Sequence, residues 1–280
     1  MNILLTGAGG NFGTEFRRQA NHVPGMQVVS VGRGNWPELL GKLASIDVVI
    51  HAASDLRTPA SAAPVQLMDS NVMSTAMLLE SVVRSGVKKF VFLSSCAVYG
   101  EDMRTGEASL CCPITINGIS KHLNEKLIAE FCTANRIEFQ ILRVFNSYGG
   151  NDKFSIFSHA KRALLSGKPF TLNNGGRMQR DFIHVADVAS VVLKLAGAAL
   201  GHTHVNIGTG IATKVSVLVD MLTVAFPRLI IEHSVTQEAE YSRADTNRLR
   251  EFWSGDFVRV EDYLQSTFAP EIAAALRHAA

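Results

Sequence analysis

Gly7, Gly10 and Gly13 stand in G-x-x-G-x-x-G spacing within TGAGGNFG, near the start of a 280-residue chain. Glycines in this pattern let a backbone turn tightly and approach a charged group, and a helix that begins there offers free N–H groups to an anion. The apolar run before them, Ile3 to Leu5, reads as a buried strand, and Phe12 and Phe16 follow at helical i, i+4 spacing. A glycine turn between a strand and a helix is a setting for a dinucleotide pyrophosphate, with Asn11 and Phe12 beside it in the first helical turn. The second strand, MQVVSVGRG, bears on which dinucleotide. No Asp or Glu occurs between Glu15 and Glu38 to hold a ribose 2′-hydroxyl. Arg33 follows the strand end instead, where a guanidinium can pair with a 2′-phosphate. NADP is therefore the expected cofactor and NAD the alternative, while a solvated loop arginine is the plainer reading of Arg33.

The elements that must position this loop alternate along the chain. IDVVIHAAS (46–54) reads as a third strand, DSNVMSTAMLLESVVRSG (69–86) as an amphipathic helix ending on glycine, and KKFVFLSSCAVYG (88–100) as a fourth strand entering a polar turn. A helix from about Ile119 to Asn135 and a strand in EFQILRVFNSYG (138–149) follow. Such alternation implies an α/β fold, a doubly wound parallel (Rossmann) sheet with helices on both faces. Ligands in these sheets gather at the carboxyl ends of the strands, where Ser94, Ser95, Asn146 and Tyr148 fall. After residue 150 the rhythm loosens. The expected division is a dinucleotide-binding core at 1–150, rejoined by a segment around 181–208. A smaller α+β substrate-binding region at 151–180 and 209–280 makes up the rest.

Composition excludes several classes. A net charge of +2 gives no electrostatic case for nucleic acid or a membrane surface. No apolar run reaches the roughly eighteen residues of a membrane span, and MNILLTGAGG passes straight into a glycine loop rather than forming a leader. The four cysteines, Cys96, Cys111, Cys112 and Cys132, lack C-x-x-C spacing, and the nine histidines lack ligand spacing, so neither a disulfide framework nor a metal site is expected. A reduced, cytoplasmic setting fits best.

Several ordered motifs give the chain a family likeness. TGAGGNFG at 6, HAAS at 51, NVMSTAMLLE at 71, FLSSCAVYG at 92, RVFNSYGG at 143, RDFIHVADVA at 180, NIGTG at 206 and YSRADTNRL at 241 span nearly its whole length. In these the chain resembles the extended short-chain dehydrogenase/reductase family, in particular its nucleotide-sugar epimerases, dehydratases and 4-ketoreductases. The resemblance implies that Gly7, Gly10 and Gly13 cradle the cofactor pyrophosphate. It implies that His51, Ala52 and Ala53 line the cofactor cleft and that Asn71 braces the strands beside it. Ser95 matches the catalytic Ser or Thr that bonds the sugar's C4 oxygen, and Lys121 the lysine that holds the nicotinamide ribose. Asn146 matches a substrate contact, and Arg180 and Arg243 match arginines for the substrate diphosphate. The implied partner is a nucleotide sugar. Members often dimerise through a helix pair, here Asn71 to Gly86 and Ile119 to Asn135, so a homodimer is a possible assembly.

One position departs from the pattern. The family places a Tyr four residues before the Lys, one turn apart on one helix face, where the ammonium favours phenolate and readies the phenol for proton transfer. NGISK matches that motif except at Asn117. The other tyrosines, Tyr99, Tyr148, Tyr241 and Tyr263, lie more than fifteen residues from Lys121. An amide hydrogen-bonds a carbonyl but has no titratable proton near neutrality. Three readings stay open: Lys121 or a water donates the proton, an engineered substitution traps a complex, or the protein binds without turnover. Cys96 and Ala97 stand where dehydratases carry an acidic pair, which disfavours dehydration. The leading expectation is a reductase of a nucleotide-linked 4-keto-6-deoxyhexose, followed by a 4-epimerase and then a non-catalytic binding protein.

Overall fold

Ile3, Leu4 and Leu5 are fully buried in the first strand, β1 (Asn2–Thr6), as befits a strand covered by helices on both faces. The computed structural model describes residues 1–32, 46–57, 61–103, 106–198, 201–236 and 239–278. After β1 come α1 (Asn11–Ala20), β2 (Gln27–Val31) and β3 (Val48–His51). A long helix follows in pieces: α2 (Pro64–Met68), a π-helical turn (Asp69–Met73) and α3 (Ser74–Ser85). Then come β4 (Lys89–Ser95), the short β5 (Asp102–Met103), α4 (Ile116–Ala134), β6 (Glu138–Val144), β7 (Asn146–Tyr148) and α5 (Ile156–Ser166). The remainder is β8 (Phe170–Asn173), β9 (Gln179–His184), α6 (Val185–Ala196), β10 (His204–Ile207), β11 (Ala212–Lys214), α7 (Val215–Ala225), β12 (Ile231–Ser234) and β13 (Tyr241–Ser242). Two short helices, α8 (Asn247–Arg250) and α9 (Val260–Tyr263), lead to α10 (Ala269–His278).

The main sheet is parallel and six-stranded, in the order β10-β6-β4-β3-β1-β2. Consecutive strands lie on opposite sides of β1, so the crevice for a ligand opens at the carboxyl ends of β1 and β3. Alternate residues of the same strands serve opposite faces. Ile3, Leu5, Ile50 and Val91 join α1 and α6 in one core, while Leu4, Val49, Phe90 and Phe92 pack under α3 and α4 in the other. A second sheet, β11-β9-β13-β5 with β7 also on β9, lies beside the carboxyl end of the first, and β8 pairs with β12. A third core gathers Tyr148, Phe157, Phe170, Leu222, Tyr263 and Phe268 around these elements.

Two helices start earlier than their spacing predicts. α4 begins at Ile116 rather than near 119, because the Thr115 hydroxyl accepts the Gly118 N–H at 3.1 Å and caps the first turn. The helix expected from 69 begins at Pro64, a residue suited to a first helical turn. Its end is as expected, with Gly86 left-handed at φ +72°.

Candidate active site

The glycine loop is built as its spacing requires. Gly7 has φ +72°, and a Cβ there would lie 2.7 Å from the Ala53 nitrogen. A Cβ on Gly13 would lie 2.3 Å from the Gly7 carbonyl oxygen. Gly10 precedes α1 and gives its N–H to Gly7 O at 2.9 Å. No side chain caps α1 and no acidic residue stands in its first turn, so the positive end of the helix is open to an anion. Space beyond Gly9 is empty. Asn11 gives its amide N–H to Gly149 O at 3.0 Å, which ties this loop to the turn after β7. A cradle that side chains would fill, at an uncapped helix start, fits a dinucleotide pyrophosphate.

His51 is placed differently from its expected role. Its ring is buried beneath the loop, between Thr6 Oγ1 at 2.7 Å and Thr75 Oγ1 at 2.9 Å, and does not line the cleft. Both faces of β3 are buried, so its apolar run could not say which way His51 points. Loss of hydration and the nearby Lys121 charge lower its pKa to about 3, so the ring is neutral. Ala52 does line the cleft, and Ala53 gives its N–H to Thr6 Oγ1 at 3.1 Å. Asn71, in the π turn, binds both backbone groups of Asp55: its Oδ1 accepts the Asp55 N–H at 2.6 Å, and its Nδ2 donates to Asp55 O at 3.0 Å. It therefore braces the loop after β3.

Ser95, Asn117 and Lys121 meet on the wall of a cleft of about 2170 Å³ that runs from Gly7 to Lys168 and Glu271. Ser95 ends β4, and its hydroxyl accepts the Ala97 N–H at 3.2 Å, which leaves its own hydrogen to donate. Gly118 brings α4 against this turn, for a Cβ there would lie 2.5 Å from Ala97 O. Lys121 is buried, gives a hydrogen bond to Leu93 O at 2.6 Å and lies 4.7 Å from the Phe92 ring centre. Burial brings its pKa down to about 8 despite the opposing pull of Glu125. The Asn117 Oδ1 is buried without a hydrogen-bond partner among the described residues.

Behind Lys121, one turn along α4, lies a buried charged network that local spacing did not reveal. Glu125 takes Arg143 Nη2 at 2.7 Å, Arg143 Nε at 3.0 Å and the Ser94 hydroxyl at 2.5 Å. Arg143 Nη1 reaches the Tyr99 hydroxyl at 3.0 Å, and that hydroxyl donates to Asn206 Oδ1 at 2.6 Å. Burial pushes the Tyr99 phenol up to about 12, so it is no stand-in for the absent tyrosine. The fold also brings Cys111, His122 and Glu125 together, with ligand atoms within 4.8 Å of one another. Both Glu125 oxygens are already committed to Arg143 there. All four cysteines are free thiols.

On the far side of the cleft, Arg180 and Asn146 both line the wall. Asn146 Nδ2 donates to Asp181 O at 3.0 Å and Ser242 Oγ at 3.2 Å. Asp181, unremarked in the sequence, is fully buried next to Arg180. Its carboxylate accepts from Thr209 N, Thr209 Oγ1, Gly210 N and Ala244 N at 2.6–3.0 Å, and burial still raises its pKa. It ties the NIGTG and YSRAD segments to β9. Arg243 is exposed, does not line the cleft, and stands one residue beyond Ser242, the register partner of Arg180. Arg33 lies outside the described residues.

A six-stranded parallel sheet with helices on both faces and this loop at its switch point defines a doubly wound Rossmann-type α/β protein. The chain belongs to the NAD dependent epimerase/dehydratase family, whose model matches residues 3–208. It is 32% identical over 185 residues to a putative UDP-glucose 4-epimerase of Methanocaldococcus jannaschii, a match covering 63% of this chain and 60% of the relative. It is 30% identical to the UDP-glucose 4-epimerase of Azospirillum brasilense over 51% of this chain and 47% of the relative. The matches thus span about half to 60% of these relatives. Over full length the fold is similar to MoeE5 solved in complex with UDP-glucuronic acid and NAD, with a TM-score of 0.85 at 26% identity. It is similar to TunA, an NAD dependent NDP-hexosamine 5,6-dehydratase, with a TM-score of 0.88 at 26% identity over 98% of each chain. No described helix is long and apolar enough to cross a membrane.

Proposed function

We propose that this chain is an NAD-using oxidoreductase acting at C4 of a nucleotide-linked hexose, and that it reduces the 4-keto sugar. Lys121 carries the reading. With a pKa of about 8 it is an ammonium at pH 7, an acid ready to give a proton and a poor acceptor of one. Reduction needs one proton delivered to the C4 oxygen, whereas epimerisation needs a group that takes the proton and returns it. Asn117 cannot transfer a proton, so Lys121 would supply it, directly or through a water. Ser95 would donate its O–H to the ketone oxygen. Cys96 and Ala97 supply no acid and base for dehydration, so the ketone must come from another enzyme's oxidation or dehydration.

The dinucleotide pyrophosphate would rest on Gly7, Gly10 and Gly13 and the open start of α1, with Asn11 and Phe12 beside it. When bound, the nicotinamide supplies the hydride. NAD replaces NADP as the proposed cofactor, because MoeE5 was solved with NAD and TunA is an NAD dependent dehydratase. Arg180 would meet the substrate diphosphate and Asn146 would face the sugar. The exposed Arg243 would reach the diphosphate only by moving inward. The segments 151–180 and 209–280 would form the substrate side. Gly13→Ala is expected to abolish cofactor binding at millimolar NADH, because its Cβ would meet backbone atoms that cannot move aside. Fluorescence titration with NADH checks this, and ordinary affinity in the variant would remove the pyrophosphate from that loop.

The reductase reading is tested by NADH oxidation with UDP- and dTDP-linked 4-keto-6-deoxyhexoses over pH 6 to 10. Because the raised-pH form of Lys121 is the free amine, kcat/KM should be flat below pH about 8 and fall about tenfold per unit above it. A rate that climbs through pH 8 would mean that Lys121 acts as a base. The names of the curated relatives favour a second reading, a 4-epimerase. Interconversion of UDP-glucose and UDP-galactose by protein with co-purifying NAD would establish it and end the reductase reading.

A further inference from the structure

A line of buried hydrogen bonds runs under the cofactor loop and ends on the helix that carries Lys121. Its directions follow from counting hydrogens. The Thr75 hydroxyl gives its one hydrogen to Asn71 O at 2.7 Å, so at 2.9 Å from the His51 ring it can only accept. His51 Nε2 therefore carries the proton, and Nδ1 is bare. Nδ1 accepts the Thr6 hydroxyl at 2.7 Å, and Thr6 Oγ1 accepts the Ala53 N–H at 3.1 Å. At the other end Asn71 O takes a second donor, Asn124 Nδ2 at 2.8 Å, from α4 one turn beyond Lys121. Thr6, His51, Thr75, Asn71 and Asn124 are each at most 5% exposed, so water cannot replace a missing partner.

We propose that Thr6, His51 and Thr75 form a positioning relay that holds the cofactor's glycine loop in register with the catalytic helix. It joins four pieces that the site needs in fixed relation: the end of β1 before Gly7, the loop after β3, the π turn and α4. Each hydroxyl both gives and receives, so removing one takes a hydrogen bond from each of its neighbours and the line weakens as a unit. His51 acts through its neighbours and touches neither cofactor nor substrate. The inference rests on the reading that the glycine loop holds the dinucleotide.

Thr6→Val and Thr75→Val keep the shape of each side chain and delete its hydroxyl. NADH affinity by fluorescence titration and thermal midpoint would be measured for the whole chain, both single variants, the double variant and Thr75→Ser. Each single variant should bind NADH about tenfold more weakly, the double about tenfold rather than about a hundredfold, and Thr75→Ser close to normally. Hydrogen exchange at the Ala53 amide should quicken in Thr75→Val, three hydrogen bonds away. Multiplying losses in the double variant, or a lower midpoint with unchanged NADH affinity, would overturn the relay and leave local packing. Failure of the unaltered chain to bind NADH would remove the cofactor reading, and the relay with it.

Discussion

Asn117→Tyr is expected to raise turnover about a hundred- to ten-thousand-fold, the usual worth of a positioned general acid. Residue 117 lies one turn before Lys121 on the same helix, and both line the cleft. A phenol there would sit beside an ammonium that favours its ionised form, and so gain a proton it can give and take near neutrality. Residue 117 lines the cleft, into which the ring would extend. Most of the gain should appear in kcat, since the phenol adds proton transfer rather than substrate binding, and the fall of rate above pH 8 should give way to a profile set by the phenol. NADH oxidation at saturating keto sugar measures it. Asn117→Phe is the control: an equal gain there would assign the effect to filled space. A Tyr variant no faster than the protein as it stands would mean that Lys121 already performs the whole proton transfer, or that the site does none.

Arg143→Met is expected to destabilise the fold by about 3–5 kcal/mol, the range for breaking a buried ion pair from one side. The Arg143 and Glu125 side chains are 4% and 2% exposed, and two hydrogen bonds of 2.7 and 3.0 Å join them. The pairing and the Tyr99 contact hold the guanidinium above its ordinary pKa in spite of burial. With Met in place, the buried Glu125 carboxylate keeps the Ser94 hydroxyl as its one hydrogen-bond donor among the described residues, with His122 Nδ1 3.8 Å away, and Tyr99 loses a donor. Urea unfolding monitored by far-ultraviolet dichroism gives the loss. Adding Glu125→Met to the single variant should recover much of it, because the pair removed together leaves no stranded charge. A single-variant loss below about 1 kcal/mol would mean that solvent reaches the pair.

How much of this was legible beforehand follows from the range of the interactions. The strand at Ile3–Leu5, the glycine turn and the helix stop at Gly86 are short-range features, and each stands where its spacing put it. Ser95, Asn117 and Lys121 were assigned by likeness to a family, and the fold brings them to one wall. The early start of α4 was readable from Thr115, whose hydroxyl satisfies an N–H three residues on. Asp181 and Glu125 were not readable. Their partners Thr209, Ala244 and Arg143 lie 18 to 63 residues away, and a lone acid in a sequence looks like surface until those donors surround it. His51 shows another limit: in a strand buried on both faces, alternation gives no clue to which face holds the cofactor. Arg243 was aligned with a diphosphate by motif, but the turn after β13 leaves it in solvent.

The packing of Gly118 against Ala97 O fixes the backbone at residue 117 whatever side chain it carries. In the genetic code, asparagine (AAU, AAC) and tyrosine (UAU, UAC) differ only at the first base. A gene for this chain is thus a single transversion from one that encodes the full Y-G-x-S-K motif, with Ser95 and Lys121 already in place. On the reductase reading, selection acting on such a lineage could move between a slow and a fast form of the same site by one base.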